Sequence, residues 1–161
     1  IVREVVRRQL RLVEEELSAV FDDESRNFVE RISSQLGIAT RIMNTLGKPF
    51  LTDLARYAPD VWDEIETFRR ERVFSRLEGL IMRGKDEGAI KPEVDPAVVV
   101  TIIVTIADTL LTPGRLARTP FSPQQVIRHI GMIVADGMLT DSGKAEFKRS
   151  EFIDQDGGVH R

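Results

Sequence analysis

The residue types that carry most protein chemistry are scarce in this sequence. It has no cysteine and two histidines, His129 and His160. Without cysteine there is no disulfide, zinc thiolate or cysteine nucleophile. His129 follows Arg128 and has no Glu-x-x-His or His-x-x-x-His partner, so the ligand set of a di-iron bundle is missing. His129 is expected at the surface or at an interface rather than on a metal. His160 lies in the terminal GGVHR. With one histidine in the body of the chain, no nucleophile–base pair of the serine–histidine kind can be drawn. No enzyme activity, metal or cofactor is expected. The acid that stands out is Asp108, inside VVVTIIVTIADTLL, residues 98–111. A carboxylate among Val, Ile and Leu is costly unless it is paired or hydrated. Two readings stay open. Asp108 binds an arginine or reaches solvent, or it lines a small-molecule pocket with Thr101 and Thr105, which share its helical face. In the pocket reading Trp62, Phe68 and Arg69 form the opposite wall, with Met43 and Leu36 beneath; for each of these, core packing is the alternative.

The segment that holds Asp108 is bounded by Asp95-Pro96 and Pro113-Gly114. An Asp cap followed by Pro at the first helical position starts a helix, and Pro-Gly stops one. As a strand the span would reach roughly 55 Å, far beyond usual strands; as a helix it is about 25 Å. It is too short and too interrupted for a membrane span of about 20 apolar residues. Elsewhere apolar residues recur at helical spacing. Val2, Val6, Leu10, Val13, Leu17 and Val20 predict a helix over 1–21. Asp22 or Asp23 is expected to cap a second one over 24–46, which Gly47 and Pro49 end, followed by a short helix over 50–57. Pro59 opens a long helix over 59–84, with Asp60, Asp63 and Glu64 near its start as the helix dipole prefers. Residues 113–121 read as loop. Ser122-Pro123-Gln124-Gln125 is a capping box for a helix over 123–138. The tail from Asp141 is polar, although Glu146, Phe147 and Phe152 fit one more short helix. The fold class is all-α: an antiparallel bundle of six to seven helices.

A helix that is apolar all round must be covered all round. One face of 97–111 can rest on the chain's own helices, and the other needs a partner. The helix over 123–138 is also broadly apolar and carries small residues four apart, Gly131 and Ala135. The expected dimer interface is therefore Val99, Ile103, Ile106 and Leu110 on one helix. Ile127, Ile130, Gly131, Val134, Ala135 and Met138 supply the other, in an intermolecular four-helix bundle. The alternative is a monomer whose central helix is wrapped by its own neighbours.

The net charge of −3 argues against gripping nucleic acid by charge alone. Arg3, Arg7, Arg8 and Arg11 nevertheless form a basic cluster at one end. It is a solvated face or lies beside an acidic partner, nucleic acid included. The chain starts on IVREVV, without a cap and with arginines where the dipole favours acids, so the first helix is expected to begin upstream of Ile1. No signal peptide is visible, and a reducing, cytoplasmic setting fits the lack of cysteine.

The run FLTDLARYAPDVWDEIETFRRERVFSRLEGLIMRGKDEGAIKPEVDP over 50–96, then TPGRLARTPFSPQQV, then VADGMLT, resembles the C-terminal regulatory domain of TetR-type transcriptional regulators. The likeness is carried by Tyr57-Ala58-Pro59, Gly84 with Glu87-Gly88, Asp95-Pro96, Ser122-Pro123 and Gly137 to Thr140. It covers 50–145 well and 1–46 loosely. The resemblance implies an effector-binding and dimerisation domain over 1–140 and a polar tail over 141–161. It implies a homodimer through the helices at 96–112 and 123–138, and a small effector between the first, second, long and apolar helices. Operator DNA would be read, and transcription repressed, by an N-terminal helix-turn-helix domain that this chain lacks. The Arg cluster would lie near that DNA-binding end. Two rivals are a helical protein–protein adaptor without a small ligand and a helical enzyme working through carboxylates alone.

Overall fold

The computed structural model describes residues 1–150. Phe152 and His160 lie outside the described residues. The architecture is all-α. Helix α1 spans Val2–Asp22 and buries Val6, Leu17 and Val20. The next helix, α2, spans Phe28–Tyr57 and is broken at Gly47, whose φ of 68° only glycine adopts readily. Its cap is Asn27, not Asp22 or Asp23, and it starts at 28 rather than 24. The Asn27 side chain accepts from Glu30 N at 2.9 Å, and the Glu30 carboxylate accepts from Asn27 N at 2.9 Å. Asp23 is engaged one turn earlier, by Ser25 and Arg26.

The stretch expected as one long helix is interrupted. Pro59–Phe68 is α3, Arg69–Val73 is a π-helical turn, Phe74–Arg76 is 3-10, and Leu77–Asp86 is α4. A π turn inserts one residue and shifts the phase of every side chain after it. After α4, Gly88 has a φ of 72° and turns the chain so that Ala89 and Ile90 both donate to Gly84 O. Ala89 and Ile90, in the mostly polar segment that follows α4, are buried. Lys91 N bonds Met138 O and Thr140 N bonds Ala89 O, forming a single antiparallel bridge, Ile90 to Leu139.

Helix α5 spans Pro96–Leu110, with the Asp95 carboxylate accepting from Ala97 N and Val98 N at 2.9 and 3.2 Å. Residues 113–121, expected as loop, contain the short helix α6, Pro113–Ala117. Pro-Gly read as a stop, but Pro113 instead fills the first position of a new turn that sinks Leu116 completely. Helix α7 spans Pro123–Met138 and has the expected Ser122–Gln125 capping box. Helix α8, Asp141–Lys148, lies where the polar tail was drawn, and its Phe147 is buried with Phe28, Ile90 and Leu139.

Helices α2 and α7 run antiparallel. Phe28 shares a cluster with Met138 and Leu139, Gly131 sits on Leu36, and Lys48 reaches Thr119 O. A second cluster joins Val6, Leu51, Leu54, Val61, Trp62 and Leu116, and a third joins Ala107, Leu111 and Val126.

Two substitutions test this packing. Leu116→Ala is expected to cost about 2–5 kcal/mol, read as a lower urea midpoint with an unchanged slope. Gly143→Ala places a Cβ 2.4 Å from the Ala89 carbonyl oxygen. Backbone cannot rotate aside, so a loss of about 1–3 kcal/mol is expected.

Candidate functional site

The residues assigned to a partner-facing seam divide in two. Gly131, Ala135 and Met138 are buried inside the chain and are a correction to that reading. A Cβ on Gly131 would meet Leu36 Cδ2 at 2.9 Å, so the small residues admit this chain's own α2. Val99 and Val134 pack half-buried on the Phe28 cluster, and Leu110, Ile127 and Ile130 on the Ala107 cluster. Ile103 and Ile106 are half-buried. The apolar residues left in the open are Val98 and Ile102 on α5, and Met132 and Ile133 on α7, with Ile133 71% exposed. Thr101, Thr105 and Thr109 on α5 and His129 and Asp136 on α7 share those outer faces. The exposed apolar positions thus lie beside the expected ones and not at them. Periodicity shows that a helix has a second apolar face but does not say which face meets its own core.

The proposed pocket residues are not gathered in one cavity. Trp62 is buried, and Met43 packs half-buried on the cluster that contains it. Leu36 packs on the separate Phe28 cluster and on Gly131. Thr101 and Thr105 are exposed, and the Thr101 hydroxyl donates to Ala97 O at 2.7 Å. Phe68 lines an outer cleft of about 350 Å³ between α1 and α3, with Leu10, Asp63, Glu64 and Thr67. A second open cleft, of about 450 Å³, is lined by Thr109, Thr112, Gly114, Arg115 and Arg118. Arg69 and Asp108 do meet: Arg69 Nη2 donates to Asp108 Oδ1 at 2.8 Å. Of the two readings of Asp108, this is the arginine pair.

The N-terminal arginines also divide. Arg7 Nε and Nη2 donate to the two Glu64 oxygens at 2.8 and 2.7 Å, a bidentate fork. Arg3 pairs with Asp60 and lies 3.8 Å from Glu64. Arg8 and Arg11 are exposed and have no ion-pair partner among the described residues. The acids read as dipole-stabilising thus also clamp α1 to α3. Sequence reading missed Arg31 altogether. This buried arginine donates to Phe21 O, Asp23 O and Arg26 O, binding the carbonyls where α1 ends. The only sequence signal was a basic residue four positions after a cap, one turn from the apolar Phe28.

The fork sets a pH dependence. Hydrogen bonds from Arg7 hold the Glu64 carboxyl below its ordinary 4.5, against a smaller upward push from desolvation. A depressed carboxyl pKa means that the contact is present above the ordinary value and is lost as pH falls through the lowered one. Glu64→Gln is expected to reduce amide protection in the first turns of α1 at neutral pH. The native chain should reach that state only as pH falls below the ordinary carboxylate value. High salt should loosen the same turns, because the pair is solvent-exposed.

No protein-family model and no curated protein matches the sequence. Among solved structures, the fold is similar to the structure of the ketosteroid transcriptional regulator KstR2 of Mycobacterium tuberculosis. The TM-score is 0.52, the identity is 19%, and the match covers 87% of this chain and 72% of that chain. At this identity the likeness is one of fold: the chain shares an all-α bundle with that structure.

Proposed function

We propose that this chain is the effector-binding and dimerisation domain of a TetR-type transcriptional regulator, most simply a repressor. The observation that carries the reading is the shared fold with a transcriptional regulator over 87% of the chain. In this reading operator DNA is contacted by a helix-turn-helix domain that these residues do not include. An effector acts by binding more tightly to one arrangement of α1 than to the arrangement that suits DNA. The clamp between α1 and α3 gives that switch a physical handle, since Arg3 and Arg7 hold α1 to the body. Among the described residues no helix is long and apolar enough to cross a membrane.

The outer faces of α5 and α7 support the dimer reading. Val98, Ile102, Met132 and Ile133 put apolar area into water with no covering partner among the described residues. Two copies joined through these faces make a four-helix bundle of the kind that buries about 1,000 Å² or more. The adaptor reading keeps this face and discards the ligand.

Light scattering at tens of micromolar is expected to give twice the chain mass. The double variant Ile102→Asp, Ile133→Asp should be monomeric with unchanged helical circular dichroism, because both positions are solvent-facing in the single chain. A monomeric native protein would overturn the dimer.

A further inference from the structure

We propose that Arg69 is the receptor for an anionic headgroup, a carboxylate on an apolar body, for which Asp108 is the built-in stand-in. This deepens the effector reading and rests on it.

The guanidinium of Arg7, on α1, and that of Arg69, in the π turn, differ in one respect. Arg7 uses both Nε and Nη2 on one carboxylate. Arg69 uses Nη2 on Asp108, while its Nε is buried and has no hydrogen-bond partner among the described residues. A buried donor on a charged group is costly to leave unpaired, and native chains leave few such atoms. The half-filled fork is therefore the complement of a second carboxylate oxygen. Asp108 does not supply that oxygen. Its side chain is 54% exposed, against 18% for Arg69, so it meets the cation from the solvent side.

The surroundings select the rest of the ligand. The Arg69 guanidinium lies 5.8 Å from the Phe74 ring centroid, and Phe74 packs on the Ala107, Leu111 and Val126 cluster. An apolar ring backed by that cluster therefore lies beside the cation. Arg69 also opens the π turn, a helix defect often found where a side chain is re-aimed for function. The other buried side-chain atoms without a partner are Glu14 Oε2, Ser33 Oγ, Gln35 Nε2 and Thr40 Oγ1. All lie on α1 and α2, so unmet polar capacity is confined to α1, α2 and the π turn, away from α4 to α8. A ligand carboxylate completing the Arg69 fork displaces Asp108 and removes a contact between the π turn and α5.

Octanoate, octanol and octylamine are the probes, read by thermal shift and by fluorescence of Trp62, the chain's one tryptophan. Octanoate should stabilise the protein more than octanol, and octylamine should not. Arg69→Gln should weaken octanoate by on the order of tenfold or more while leaving octanol unchanged. Arg69→Lys should recover only part of the loss, since an ammonium offers no fork. Asp108→Asn distinguishes a receptor from a structural bridge. It should tighten octanoate severalfold by removing the competing carboxylate, and this arm does not depend on how well the Arg69 variants fold. Weaker octanoate binding in Asp108→Asn, or equal stabilisation by octanoate and octanol, overturns the anion receptor and leaves the effector reading standing. No response to octanoate or octanol overturns both.

Discussion

Phe28 is the point about which the bundle is assembled. Its ring is fully buried against Gly84, so close that any Cβ there would lie 2.7 Å from Phe28 Cγ. Close packing of this kind allows one register between α2 and α4 and no other. The Phe28 backbone N–H is held as well, by Glu87 Oε2 at 2.7 Å, and Arg83 Nε holds the other Glu87 oxygen at 2.7 Å. The first residue of α2 is thus tied to the last turn of α4 by packing and by a charge-assisted hydrogen bond. Gly88 then returns the chain so that Ala89 and Ile90 complete the same cluster with Met138, Leu139 and Phe147. Once this end is fixed, α7 must lie antiparallel on α2, with Gly131 admitting Leu36.

Arginines set the position of the other elements relative to this core. Arg31, one turn along α2 from Phe28, satisfies carbonyls that α1 would otherwise leave open at its end. Arg76 reaches Glu14 at 3.1 Å and stacks over Phe21, joining α1 to the start of α4. Arg7 and Arg3 join the far end of α1 to α3 through exposed pairs. The two ends of α1 are therefore held differently. Arg31 at the inner end is buried and multiply bonded, whereas the pairs at the outer end are solvated and worth little individually.

The apolar helix α5 depends on the same core for only part of its surface. Ala107 and Leu111 are buried, and Val99 and Val100 lean on the Phe28 cluster. Val98 and Ile102 face outward beside Met132 and Ile133 of α7. The intramolecular use of Gly131 and Ala135 leaves bulky rather than small residues on that outer face. An association through it would rest on apolar area and not on close backbone approach.

The sequence by itself determined the all-α class, the caps at Asp95-Pro96 and Ser122, the break at Gly47 and the apolar stripe of α1 from Val6 to Val20, though not Val2, which is exposed. These follow from backbone chemistry and from a periodicity of 3.6 residues, both local properties. It also marked Asp108 as an acid needing a partner, and included Arg69 among the residues near it. Only the tertiary structure decided which partner Asp108 took, which of two apolar faces on α5 and α7 turned inward, and that the long helix changes phase at Arg69. It likewise decided that the 113–121 stretch sinks Leu116 and that Arg31 belongs to the interior. Each of these is a choice between contacts distant in the chain. Side-chain spacing along one helix is the same whichever neighbour it meets, so only the assembled bundle can make the choice.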